Sequence, residues 1–203
     1  MNRKRLVGVA VAGIVVVVLI EVFGSRPQVQ NAANAAHGST DASSSWQITT
    51  ERDPMTDTQN IDGSVAADNQ VQAWLDTPRP VLHVRCYRGK INVYVWTGTA
   101  ASVETDYDGG VSYGHKVMLR FDSNPEFIED WAESDDHKAL FETDDTLDGT
   151  NPAHNLIVQM VQAKTLLFQF TPFNANPVIA HFNLQGLSTH IDEITKPCDW
   201  NVE

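Results

Sequence analysis

Cysteine is nearly absent from this 203-residue chain, which has two. That is too few for a zinc ribbon or a disulfide-dense miniprotein. Basic side chains are also scarce, with 14 Lys and Arg against 26 Asp and Glu for a formal charge of -12. Nucleic acid is thereby excluded as a partner, because phosphate binding is driven by clustered Lys and Arg. The seven histidines include no His-x-His or His-x-x-x-His pair that would suggest zinc on a strand or helix. A nucleophile elbow, a phosphate loop and a dinucleotide fingerprint are all missing. Internal repeats and coiled-coil heptads are missing too. The chain reads as a non-enzyme without a cofactor. What it does have is an ordinary 42% of apolar residues, so wholesale disorder is excluded and one folded domain with extensions fits the length.

The first segment sets the expected address. Arg3, Lys4 and Arg5 precede an apolar run from Leu6 to Ile20, broken by Glu21 before Val22 and Phe23. A hydrocarbon core needs about 20 apolar residues as helix, and Leu6 to Phe23 approaches that if Glu21 snorkels to the interface. Two readings stand, a cleaved signal peptide and an uncleaved anchor. Val22-Phe23-Gly24 is a mediocre cleavage site, and Ala33-Asn34-Ala35 lies far from the apolar core. The anchor over residues 1–23 is therefore the preferred expectation. Three basic residues ahead of it, against Arg26 alone behind, place the N-terminus inside. The expected location is a single-pass inner membrane protein, contacting the membrane through residues 6–23, with the remaining chain periplasmic. Secretion after signal cleavage is the alternative. On either reading the exported part carries 11 basic and 25 acidic side chains, a net of -14.

Residues 24–45 are rich in Ala, Ser and Asn and read as a flexible tether, since they cannot bury enough surface to offset their ordering entropy. A β-rich domain is expected over 46–203. Val81 to Cys86 and Ile91 to Trp96 are dense in β-branched and aromatic residues and flank Arg88-Gly89, a hairpin signal. Val117 to Phe121 is a further short strand. Leu166, Phe168 and Phe170, then Val178, Ala180, Phe182 and Leu184, alternate with a period of two. Asn151-Pro152 supplies a cap and first-turn proline for a helix whose stripe is Ala153, Leu156, Ile157, Met160 and Val161. A shorter helix follows Gly186, with Leu187, Ile191 and Ile194 inward. The expected fold class is mainly β (α+β): an antiparallel β-sandwich or open barrel with two short helices, preceded by one N-terminal transmembrane helix.

Outside the cytoplasm a lone pair of cysteines reads as a disulfide, here Cys86 with Cys198. Fourteen of the 25 exported carboxylates fall between Glu104 and Asp148. Asp144-x-Thr146-x-Asp148-Gly149 resembles the first half of a calcium loop, but its twelfth position is Asn155 where a bidentate Glu belongs. Asp144 and Asp148 are thus weak calcium candidates, and a solvated polar loop is the plainer reading. Asp106-x-Asp108-Gly109-Gly110 is a turn before it is an ion site. His83 and His181 lie inside alternating runs and read as strand-face residues.

Several short pieces in order resemble one family. They are Trp46 with Asp53-Pro54-Met55-Thr56-Asp57, Leu82-His83-Val84-Arg85-Cys86, Lys90-Ile91-Asn92-Val93-Tyr94-Val95, and Trp131-x-x-Ser134 with Phe141. Phe170-Thr171-Pro172-Phe173-Asn174, Phe182-Asn183-Leu184-x-Gly186-Leu187 and Pro197-Cys198-x-Trp200 complete the set. Together they resemble the TagO/VasI-like family of type VI secretion-associated envelope proteins. The resemblance implies an exported, non-enzymatic accessory domain; joined to the anchor, the expectation is a membrane-anchored periplasmic domain that binds envelope or secretion-apparatus proteins. It also implies that Cys86 and Cys198 pair, and it brings no catalytic residues. Asp53, Met55 and Asp57 mark the candidate binding loop, with a tight hairpin turn as the plainer alternative. The chain departs from longer members in having the Ala/Ser/Asn-rich tether where they carry a cysteine-containing segment. The second functional reading is a free-standing or phage-encoded envelope protein with a calcium- or ligand-binding β domain. An envelope hydrolase with dispersed acidic catalysts is the third.

Overall fold

A computed structural model of the protein describes residues 45–102, 114–142 and 152–200. They belong to one compact unit and form nine strands and two α-helices. The strands are β1 (Gln47–Arg52), β2 (Gln59–Ala66), β3 (Val81–Tyr87), β4 (Lys90–Trp96), β5 (His115–Phe121), β6 (Phe127–Glu133), β7 (Ala139–Phe141), β8 (Thr165–Phe170) and β9 (Val178–Asn183). Helix α1 (Pro152–Gln162) precedes β8, and α2 (Leu187–Thr195) runs into a 3-10 turn over Lys196–Cys198.

All nine strands lie in one sheet in the order β1-β2-β3-β4-β7-β6-β5-β8-β9, and every neighbouring pair is antiparallel. This corrects the expected sandwich or open barrel: the strands form one sheet that is not closed into a barrel. The three-residue β7 joins the two halves into one sheet, pairing with β4 on one side and β6 on the other. The far edge, β9, is met by an irregular segment instead of a strand. There Asp68 N–H donates to the His181 carbonyl at 2.7 Å. The Asn69 side chain accepts from His181 N–H at 2.9 Å and donates to the Ile179 carbonyl at 2.9 Å. A side-chain amide thus satisfies edge groups that would otherwise template another strand.

The β3–β4 hairpin turns on Arg88 and Gly89, both at positive φ (52° and 75°), as a two-residue turn matched to strand twist requires. One face of the sheet is dry: Leu82, Val84, Val93, Val95, Leu119 and Phe168 are fully buried. The helices cover this face. Helix α1 lays Ala153, Leu156, Ile157 and Met160 inward and packs on β4. Helix α2 lies over β2 and β3, close enough that a Cβ on Gly63 would overlap Ile194 Cδ1.

The anchor expected at 1–23 and all but the last residue of the tether lie outside the described residues. Among the described residues no helix is long and apolar enough to cross a membrane. At about 1.5 Å per residue, the 11 residues of α1 reach roughly half of a ~30 Å hydrocarbon core. The expectations of a membrane-anchored domain and a single-pass inner-membrane location are corrected on this finding and are not carried forward.

Candidate functional site

The opposite face of β2, β3, β4 and β7 carries the chemistry. Register puts Asp62 directly across from Arg85, and Arg85 across from Asn92. In the next row Ser64, His83, Tyr94 and Phe141 line up across all four strands. Directly opposed residues bring their Cβ atoms to about 5 Å, so the two rows make one continuous surface.

Aromatic rings form its floor. The His83 and Tyr94 rings stack with centroids 4.3 Å apart and planes within 6°, and Tyr94 stacks on Phe141 at 4.6 Å and 16°. The Arg85 guanidinium lies over three rings, with its Cζ 4.9 Å from the centroid of Tyr87, 4.7 Å from Tyr94 and 5.4 Å from Phe141. Its Nε–H makes a long 3.4 Å hydrogen bond to Asn92 Oδ1. No carboxylate among the described residues comes within ion-pairing distance of it. Asp62 accepts from His83 Nδ1–H at 2.9 Å through Oδ2, while Oδ1 is buried with no hydrogen-bond partner. The Tyr94 phenol is pushed up to about 12, first by burial and then by the Asp62 charge, so it stays a neutral O–H donor at physiological pH. These groups border a hollow of about 200 Å³ whose lining includes Glu51, Asn60, Asp62, Arg85, Tyr87 and Tyr94.

The Asp62–His83 pair has the polarity of a general-base dyad, with the carboxylate on Nδ1 leaving Nε2 as an acceptor. Among the described residues no serine, threonine or cysteine hydrogen-bonds to that ring. A larger hollow of about 800 Å³ opens beside the C-terminal end of α2, but its charged residues Asp192, Glu193 and Lys196 are all exposed to water.

The candidate binding loop, Asp53 to Asp57, lies between β1 and β2. Asp53 is buried, and its Oδ1 accepts from the backbone N–H of Met55 at 2.8 Å and of Thr56 at 3.3 Å. Its Oδ2 accepts from Arg88 Nε at 3.2 Å, and the Met55 bond comes first among the causes that hold its carboxyl below the usual carboxylate range. Asp53 therefore shapes the turn and ties it to the β3–β4 hairpin. Asp57, at positive φ, pairs in solvent with Arg52 at 3.2 Å, and Met55 is 88% exposed at the tip. Cys86 and Cys198 are bonded. Asp144 and Asp148, and the Asp106–Asp108 turn, lie outside the described residues. Among the described residues no group of three or more His, Cys, Asp or Glu is placed to hold a metal ion. His83 and His181 both stand on strands, His83 within the site and His181 exposed on β9.

Sequence reasoning missed Asp62, Arg85, Tyr94 and Phe141. The available signal was the outward letters of three strands, Asp/Ser, His/Arg and Asn/Tyr at a period of two. They converge only once the register is known.

A second polar cluster braces the sheet where β5 and β6 begin and end. Glu133 Oε1 accepts from Ala101 N–H at 3.2 Å, and Oε2 meets His137 Nδ1 and lies 3.6 Å from His115 Nε2. His115 Nδ1–H donates to the Ser102 carbonyl at 2.9 Å. The hydrogen bond to Glu133, reinforced by its charge, raises the His137 pKa above 6.5. A raised folded-state pKa contributes stability that is fully present below the unfolded value and lost as pH rises through the folded one. Thermal melts of the native chain and of His137→Asn should therefore differ most below pH 6.5 and converge as pH rises through the raised folded-state value. Curves that run parallel across that window would show that the pair contributes nothing.

No family model, curated protein or solved structure matches this chain. The association with a type VI apparatus and the envelope or secretion-apparatus partners expected from the resemblance therefore have no support and are withdrawn.

Proposed function

We propose that this chain is a ligand-binding β domain that acts by recognition and not by bond-making, with its site on the outer face of β2, β3, β4 and β7. The observation that carries this reading is Arg85: its guanidinium lies over three rings, with no acidic partner among the described residues, beside the part-exposed Asp62 carboxylate. The fold has no need of that arrangement, since the dry face and the helices supply the core. The segments that carry the TagO/VasI-like resemblance include His83, Arg85, Asn92, Tyr94 and Phe141, so a shared binding face is the form in which that resemblance enters this proposal. The Cys86–Cys198 bond suits an oxidising compartment, where such bonds persist.

Nitrogen-15 NMR of the full chain, titrated with a mixture of small carboxylates, amines and amino acids, tests the reading. Shifts should cluster at Asp62, His83, Arg85 and Tyr94. Shifts confined to the groove beside α2, or absent altogether, would count decisively against it.

A further inference from the structure

Resting on that reading, we propose that the ligand is a small dipole of the α-amino acid type, whose carboxylate meets Arg85 and whose ammonium meets Asp62. Each half of the argument comes from a different charged group. The Arg85 Nη edge is a planar donor fork matched to a carboxylate, and the rings beneath hold it in place. Asp62 sits across the strand pair, but it gives Oδ2 to His83 and makes no ion pair with Arg85. Its side chain is 29% exposed and lines the hollow.

The two groups are direct register partners, so their side chains leave the sheet about 5 Å apart. That suits the two charged ends of one small molecule. A monocarboxylate would satisfy Arg85 and bring a second negative charge toward Asp62. A simple amine would satisfy Asp62 and approach the guanidinium. A zwitterion completes both pairs without adding net charge to the hollow, and the exposed Glu51 at its rim adds further attraction for the ammonium. The hollow's volume, about 200 Å³, lies below the usual range of about 300–1,000 Å³ for drug-sized ligands. The occupant is therefore a free amino acid or a molecule of similar size.

Calorimetric and NMR titrations of the full chain with L-alanine, propionate and ethylamine separate the possibilities, since the last two are alanine without its amine and without its carboxylate. L-Alanine should bind at least about tenfold more tightly than either half, a difference of ~1.4 kcal/mol. Asp62→Asn should bring alanine down to the affinity of propionate. Arg85→Gln should abolish both, with circular dichroism confirming that the fold persists. Propionate binding as tightly as alanine would overturn the dipole and leave an anion site. Ethylamine doing so would overturn it in favour of a cation site. In both cases the binding reading survives. Silence from all three probes at Asp62 and Arg85 would overturn the dipole. A response there to other members of the broader mixture would still leave the binding reading intact, and silence from the mixture as well would remove it.

Discussion

Reduction of the Cys86–Cys198 bond should lower the unfolding free energy by several kcal/mol, the largest loss expected from any single covalent change. The bond spans 112 residues, and closing a loop of about 100 residues restricts the unfolded chain by ~4.7 kcal/mol in the chain-entropy account. Measured losses in small disulfide-bonded domains run from about 2 to 5 kcal/mol, because residual structure in the unfolded chain takes back part of the entropy. The native side of the balance also matters here. Cys198 ends the 3-10 turn that follows α2, and α2 covers β2 and β3. Cutting the bond leaves that helix held by packing, through Leu187, Ile191, Ile194 and Thr195. Urea unfolding with and without a reductant, repeated on Cys86→Ala/Cys198→Ala, gives the free energy. Hydrogen exchange should show α2 amides losing protection before those of β3 and β4. A loss under about 1 kcal/mol, or loss of protection spread evenly, would mean that packing and not the bond secures the C-terminal end.

Local chemistry was legible where a residue's own letters decide its conformation. Arg88-Gly89 announces a tight hairpin because both residues sit at positive φ. The α1 stripe and the alternation of β8 and β9 announce themselves because one face of each is mostly buried. The illegible parts share a physical cause. Strand β2 reads Gln-Asn-Ile-Asp-Gly-Ser-Val-Ala, which is turn-like composition, yet Gly63 is there so that Ile194 can approach. In β6, Glu129 and Glu133 share a face with the buried Trp131, so the strand looks like part of an acidic loop. Those carboxylates are tolerated because Trp131 Nε1 and Ala101 N–H donate to them. Strand β7, with three residues, is too short to show a period. Without β2, β6 and β7 the strand order cannot be assembled, so a sandwich and a barrel both looked reasonable. The site was hidden for the same reason. Asp62 and Phe141 meet His83 and Tyr94 only through the pairing of β2, β3, β4 and β7.

Trp131→Ala should cost about 3–5 kcal/mol, the range for removing a large aromatic from a core. Trp131 is fully buried. Its ring lies 5.1 Å from Phe168, and its Nε1–H donates to Glu129 Oε2 at 2.9 Å. Truncation therefore does two kinds of damage. It opens a cavity beside Phe168, and it strips a half-buried carboxylate of its donor. The two are separable. Trp131→Phe retains most of the volume and loses only the donor, so it should cost about 1–3 kcal/mol. Adding Glu129→Gln should recover part of that, since a neutral amide is cheaper to leave unpaired than a carboxylate. The effect on the binding face follows from topology. Strand β6 holds β7, and β7 carries Phe141 into the ring stack. A weakened β6 should loosen Phe141 before Tyr94, which β3 and β4 hold independently. Ring-proton NMR of Trp131→Phe would therefore show Phe141 broadening while the His83–Tyr94 stack stays sharp. Equal broadening of all three rings would mean that the site depends on the whole sheet and not on the β7 splice.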